Sequence, residues 1–93
     1  MLYVLICEDK PDSEELRKSV RPQHLDHLQG YDVRFAGPML ADNEETMIGS
    51  IIVIDVTDKA AAEAFAAADP YNQAELFETV TIRPFRQVVP SAG

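Results

Sequence analysis

The two side chains best suited to move a proton in this chain are His24, in Arg21-Pro22-Gln23-His24, and Asp69, in Ala68-Asp69-Pro70-Tyr71. An imidazole that gives one ring N–H to a carboxylate is held in one tautomer. Its other nitrogen is then left to take or deliver a proton near neutral pH. Such a pair is an acid/base dyad. Asp69 also has a plainer use, because Pro70 has the fixed φ and missing N–H of a first helical residue, so Asp69 can N-cap residues 70 to 76. Around the pair stand residues able to hold a small-molecule ligand. Arg21 could attract an anion, or pair with an acid such as Glu14; Tyr71 could offer its hydroxyl, or pack behind Pro70. Gly37-Pro38 reads as a strand-ending turn that keeps the floor beneath His24 low. Ser50 could line the pocket, but it lies in no Gly-x-Ser-x-Gly turn, so it is not expected to be a nucleophile and reads more simply as a small residue packed near Gly37. His27 lies three residues from His24, yet no cysteine or carboxylate set at ligand spacing joins them. No metal is expected there, and His27 is assigned to a solvated helix face. No cofactor motif is present.

The totals narrow the setting. Ninety-three residues make one domain, residues 1–93, and a chain of this size buries roughly 60–65% of its unfolded surface, a thin margin that self-association would widen. A net charge of −8, from sixteen acids against eight Lys plus Arg with no basic cluster, repels phosphate backbones and anionic membranes. Nucleic acid and membrane are therefore not expected as partners. The single cysteine, Cys7, sits in the apolar run Leu2-Tyr3-Val4-Leu5-Ile6-Cys7 and reads as a buried, inert thiol suited to a reducing cytoplasm. That run turns acidic at Glu8-Asp9 and follows no basic segment, so neither a signal peptide nor a membrane span is read.

The elements that must position these residues follow from periodicity. Residues 2 to 7 suit a central strand buried on both faces. Asp12 or Ser13 can cap a helix with Glu14 and Glu15 in its first turn, where the helix dipole favours acids. Its apolar stripe is Leu16, Val20 and Leu28, and His24 fills the missing place. Pro22 should kink or restart this helix, and Gly30 should end it as a left-handed cap. Tyr31, Val33 and Phe35 alternate as a strand that ends at Gly37-Pro38, and Asp42 to Glu45 form a hairpin connection. Met47 to Val56 reads as a long strand, with Ser50, Ile52 and Ile54 on one face and Gly49, Ile51 and Val53 on the other. Thr57 or Asp58 caps a second helix with an inward face of Ala61, Ala64, Phe65 and Ala68, and Phe77 to Ile82 is a last strand whose Pro84 suggests an edge.

The order β-α-β-β-α-β predicts a ferredoxin-like α+β fold, a four-stranded antiparallel sheet with two helices on one face. The crossover rule is read as placing the first and third strands central and parallel. The two helices would then run the same way, and His24 and Asp69, each about eleven residues along, roughly 16 Å, would meet at neighbouring C-terminal ends. The other sheet face, with Ile51 and Val53, needs cover, which a second copy could supply as a homodimer.

Arg21-Pro22-Gln23-His24-Leu25, Ala36-Gly37-Pro38, Gly49-Ser50, Ala68-Asp69-Pro70-Tyr71 and Arg83-Pro84-Phe85 together resemble the YciI-like (YCII-related) domain family over nearly the whole chain. The resemblance implies a dimeric α+β barrel type of ferredoxin-like fold and an active site built on the histidine of Arg-Pro-x-His and the aspartate of Asp-Pro-Tyr, here His24 and Asp69. Some members resembling this chain are cofactor-free dehydrochlorinases of aromatic degradation, so the resemblance implies a lyase or hydrolase type of enzyme. The alternative is a non-catalytic dimeric module that binds a small ligand in the same cleft or assists a partner enzyme.

Overall fold

The structure, a computed structural model, describes residues 1–91. The elements run β1 (Leu2–Asp9), α1 (Glu14–Leu28), β2 (Asp32–Leu40), β3 (Met47–Asp55), α2 (Lys59–Ala68), α3 (Pro70–Gln73) and β4 (Phe77–Phe85). The four strands form one sheet in the order β2-β3-β1-β4, so the two most apolar strands are central, and Pro38 and Pro84 fall on the edge strands, where a missing N–H costs least. This is the ferredoxin-like α+β fold.

One expected direction is reversed: β1 and β3 are antiparallel, with Leu5 opposite Ile52 and Cys7 opposite Ser50. The crossover through α1 makes β1 parallel to β2, not to β3. A hairpin then returns β3 between them, antiparallel to both. The helix that follows β3 therefore runs against α1 rather than alongside it.

Tyr3, Leu5 and Cys7 of β1 and Ile52 and Ile54 of β3 point to one face, where they pack with Ala62, Phe65 and Ala66 of α2 and with Tyr71, Leu76 and Phe77. Val20 and Leu28 of α1 close the same core. The inward face of α2 is thus Ala62, Phe65, Ala66 and Asp69, one step away from the expected set. In a run with alanine at almost every position, hydrophobicity carries no phase, and only Phe65 anchors it. Asp58 caps α2 by accepting the Ala61 N–H at 2.8 Å.

Other expectations are also corrected. Pro22 lies within a continuous α1 and does not restart it, and the helix ends at Gln29 in right-handed geometry, without a left-handed Gly30 cap. β2 runs straight through Gly37-Pro38, and a Cβ at Gly37 would meet open space, so this pair neither ends the strand nor keeps a floor low. Ser50 pairs with Pro38 across the sheet, and Gly37 with Ile51. Gly49 is the glycine that packing requires, because a Cβ there would strike the backbone carbonyl of Cys7. Gly49→Ala should cost about 1–3 kcal/mol, visible as a lower thermal midpoint. An unchanged midpoint would mean that the β1–β3 register relaxes freely.

The face away from the helices carries Val4 and Ile6 of β1, Ile51 and Val53 of β3 and Phe35 of β2, which the registers place side by side. Val53 is covered by its neighbours, whereas Ile6, Ile51 and Phe35 are 38%, 37% and 56% exposed. No described helix is long and apolar enough to cross a membrane.

Candidate active site

Because α2 is shorter than α1 and runs against it, the break between α2 and α3 falls beside the second half of α1. Three contacts follow the opposed directions: His27 meets Phe65, His24 meets Asp69, and Arg17 meets Tyr71. His24 and Asp69 therefore come together because α2 stops part-way along its partner. Nδ1 of His24 lies 2.9 Å from Oδ1 and 3.1 Å from Oδ2 of Asp69. The two residues are only 6% and 1% exposed, so this bond is shielded from water. A carboxylate only accepts, so Nδ1 donates, and in the neutral ring Nε2 is then the nitrogen without a proton. No buried side-chain nitrogen or oxygen among the described residues lacks a partner, and Nε2 of His24 has no protein partner. Solvent therefore reaches it.

Oδ1 of Asp69 also accepts the Tyr71 N–H at 2.9 Å. The two roles open for Asp69, helix cap and imidazole partner, are filled by one carboxylate at once. Glu75, at positive φ, ends α3 and turns the chain so that Leu76 is buried behind Tyr71.

The periodicity did not reveal the most buried cation. The inward stripe of α1 is Arg17, Val20, His24 and Leu28, with Arg17 only 2% exposed and Leu16 turned to solvent. Nε and Nη2 of Arg17 donate to Oδ2 and Oδ1 of Asp9 at 2.7 and 2.9 Å, a two-pronged ion pair at the end of β1. Nη2 also donates to Ser50 Oγ at 2.9 Å. Burial works against the charge on Arg17, but Asp9 outweighs it and holds the guanidinium above its usual range. The available signal was spacing. Residues 17, 20, 24 and 28 follow the three-and-four rhythm of one helix face, which Leu16 breaks.

Tyr71 joins the two groups. His24 stacks on its ring with centroids 4.0 Å apart and planes 20° apart, and the Arg17 guanidinium carbon lies 4.5 Å from the ring centroid. An imidazole stacked this closely covers one face, which leaves the other for the guanidinium. Burial raises the Tyr71 phenol above its ordinary range, opposed by the charges of Arg17 and Arg21. Beneath the site, burial first and then Asp69 push the Cys7 thiol up to about 12, so it stays protonated and inert.

These groups open onto a cavity of about 130 Å³. Arg17, Arg21, His24, Ser50 and Tyr71 supply its polar wall, and Leu25, Leu28, Met47 and Ile52 its apolar one, with Gly37 and Pro38 along the β2 side. Asp69 stands behind His24. Glu14, a possible partner for Arg21, instead accepts the Met47 N–H at 3.0 Å and ties α1 to β3. Arg21 has no partner among the described residues and is exposed at the cavity mouth. His27 does not lie on a solvated face: its Nε2 donates to the Phe65 carbonyl at 3.0 Å, and its ring packs on Phe65 and Tyr31.

Residues 1–86 match the YCII-related domain family. The chain belongs to that family. It is 41% identical to the protein YciI of Escherichia coli, over 95% of this chain and 99% of that one. Among solved structures, it is similar in fold to 5-chloro-2-hydroxyhydroquinone dehydrochlorinase (TftG) of Burkholderia phenoliruptrix in complex with 2,5-dihydroxybenzoquinone, with a TM-score of 0.84 at 23% identity over 92% of this chain and 94% of that one. A second likeness of fold, with a TM-score of 0.60 at 15% identity over 98% of this chain and 92% of that one, is to a putative antibiotic biosynthesis monooxygenase of Nitrosomonas europaea.

Proposed function

We propose that this YCII-family chain is a cofactor-free small-molecule enzyme of the lyase or hydrolase type, in which His24 moves the proton and Asp69 fixes its tautomer and orientation. The observation that carries this reading is the asymmetry of the imidazole: Nδ1 is bound to a buried carboxylate while Nε2 opens into a cavity. A nitrogen so held is ready to take a proton from a substrate C–H or from water, and the imidazolium formed is stabilised by Asp69. The volume supports a small substrate, since a cavity of about 150 Å³ accepts a benzene ring. The similarly folded TftG is by name a dehydrochlorinase, and its structure holds a single-ring quinone. Elimination of that kind needs one well-placed base, which is what the dyad supplies. The substrate-binding residues in this reading are Arg21, Gly37, Pro38, Ser50 and Tyr71.

The experiment is a turnover screen of the purified protein against chlorinated and hydroxylated aromatics, lactones and small acids, with His24→Asn beside it. Turnover by the parent and none by the variant is the expected result. Turnover that survives in His24→Asn would refute the dyad.

The working form is proposed to be a cytoplasmic homodimer joined through the open sheet face, because Ile6, Ile51 and Phe35 form an apolar patch that a second copy can cover. Sedimentation at micromolar concentration should give twice the chain mass, and a single monomeric species would sink this part.

A further inference from the structure

We infer that the pocket takes a small planar oxyanion, a single ring bearing a carboxylate or similarly charged oxygen, and that Arg17 receives this oxygen together with Arg21. The inference deepens the functional reading above and rests on it for the choice of pocket. It begins with the donors of Arg17. A guanidinium has five N–H groups; the one on Nε and the two on Nη2 are taken by Asp9 and Ser50. The two on Nη1 have no carboxylate or carbonyl partner among the described residues, the Tyr71 phenol being the other group that bonds the guanidinium. Arg17 and Tyr71 both line the cavity. A cation that is almost wholly buried, with one edge held by a carboxylate and the group itself lining a pocket, is a built donor site.

The pairing with Asp9 decides what it can hold. It fixes the guanidinium in place, so the open edge is already oriented. It also cancels much of the charge, so Arg17 alone offers directed hydrogen bonds rather than a strong field. Arg21, one helical turn further on and without an acid beside it, supplies the uncompensated charge at the mouth. The Tyr71 phenol lies under the influence of both arginines. Three donors thus converge on the polar wall, and its carboxylates are already engaged: Asp69 by His24 and Tyr71, Asp9 by Arg17. Leu25, Leu28 and Ile52 supply apolar cover for a ring. A neutral ligand would leave the charge of Arg21 unanswered, and a volume of about 130 Å³ suits a small flat one.

The test uses benzoate, its neutral counterpart benzamide, and acetate, titrated into the full-length isotope-labelled protein and followed by amide shifts. Benzoate should bind saturably and about tenfold more tightly than either of the others. Arg21→Gln, at an exposed position, should weaken benzoate roughly fivefold to tenfold and leave benzamide unchanged. Arg17→Lys keeps a cation for Asp9 but removes Nη1, and should do the same; should it fail to fold, Arg21→Gln decides. The His24 tautomer, read from its ring ¹⁵N shifts without ligand, keeps a failure of the dyad apart from a failure of the anion site. Equal binding of benzoate and benzamide, no saturable benzoate binding, or benzoate binding unaffected by Arg21→Gln would overturn the proposal. Acetate binding as tightly as benzoate would overturn its requirement for a ring.

Discussion

Asp9→Ala is expected to destabilise the fold by about 3–5 kcal/mol, and Arg17→Met by a similar amount, whereas the double replacement Asp9→Leu/Arg17→Met should recover most of the loss. The side chains of Asp9 and Arg17 are 4% and 3% exposed, so removing either leaves the other as a buried charge without its counter-charge. Removing both leaves a volume that apolar groups can fill, next to Cys7 and Tyr71. Urea unfolding of the four proteins gives the coupling directly. For a domain of this size each kcal/mol moves the thermal midpoint by roughly 4–8 °C, so either single variant should melt at least about 12 °C lower. Single variants that lose less than about 1 kcal/mol would mean that water reaches the pair. A stable double variant would also separate two demands on this pair, since it should fold yet lack the donor edge that faces the cavity.

Asp69→Asn should loosen the hold on the His24 tautomer while leaving the fold nearly as stable. Asparagine caps a helix about as well as aspartate, so its oxygen is expected to stay on the Tyr71 N–H. Its NH₂ then occupies the place of Oδ2, now 3.1 Å from Nδ1, and competes with the oxygen at 2.9 Å, which can still accept from Nδ1 but no longer carries a charge. Part of the ring population should therefore carry its proton on Nε2, where the nitrogen cannot serve as a base. Ring ¹⁵N shifts of His24 report this exchange without any substrate. If the dyad is catalytic, turnover should fall by on the order of 10³–10⁴. An unchanged tautomer in the variant would mean that Asp69 does not control the imidazole and acts only as a cap.

The order of strands and helices was legible because periodicity and capping are local: the apolar run of β1, the alternation in β2 and β3, and Asp58 before an alanine-rich helix each point to one element. The encounter of His24 with Asp69 was legible from their helical positions, but the expected route was wrong. The helices are opposed, and the two residues meet only because α2 is short, a length that depends on where Asp69-Pro70 interrupts it. Arg17 was missed because a lone arginine in a charged helix is ordinarily solvated. What buries it is Asp9, eight residues earlier and at the end of a strand, a pairing that no local pattern displays. Gly37-Pro38 misled for a related reason. The pair signals a turn wherever a strand must lose a hydrogen bond, but on an edge strand none need be lost.

The wedge formed by Tyr71 has a temporal consequence. Its ring is held by two residues from the first third of the chain, and its backbone by an aspartate from the last third, so the site straddles more than half of the order of synthesis. While the chain is being made, Arg17 and His24 emerge long before the segment that clamps them, and His24 has no carboxylate at its back. Contacts this distant in sequence close late and together. The imidazole thus gains its carboxylate only once the segment that carries Asp69 and Tyr71 has docked, and an unfinished chain carries the histidine without its orientation.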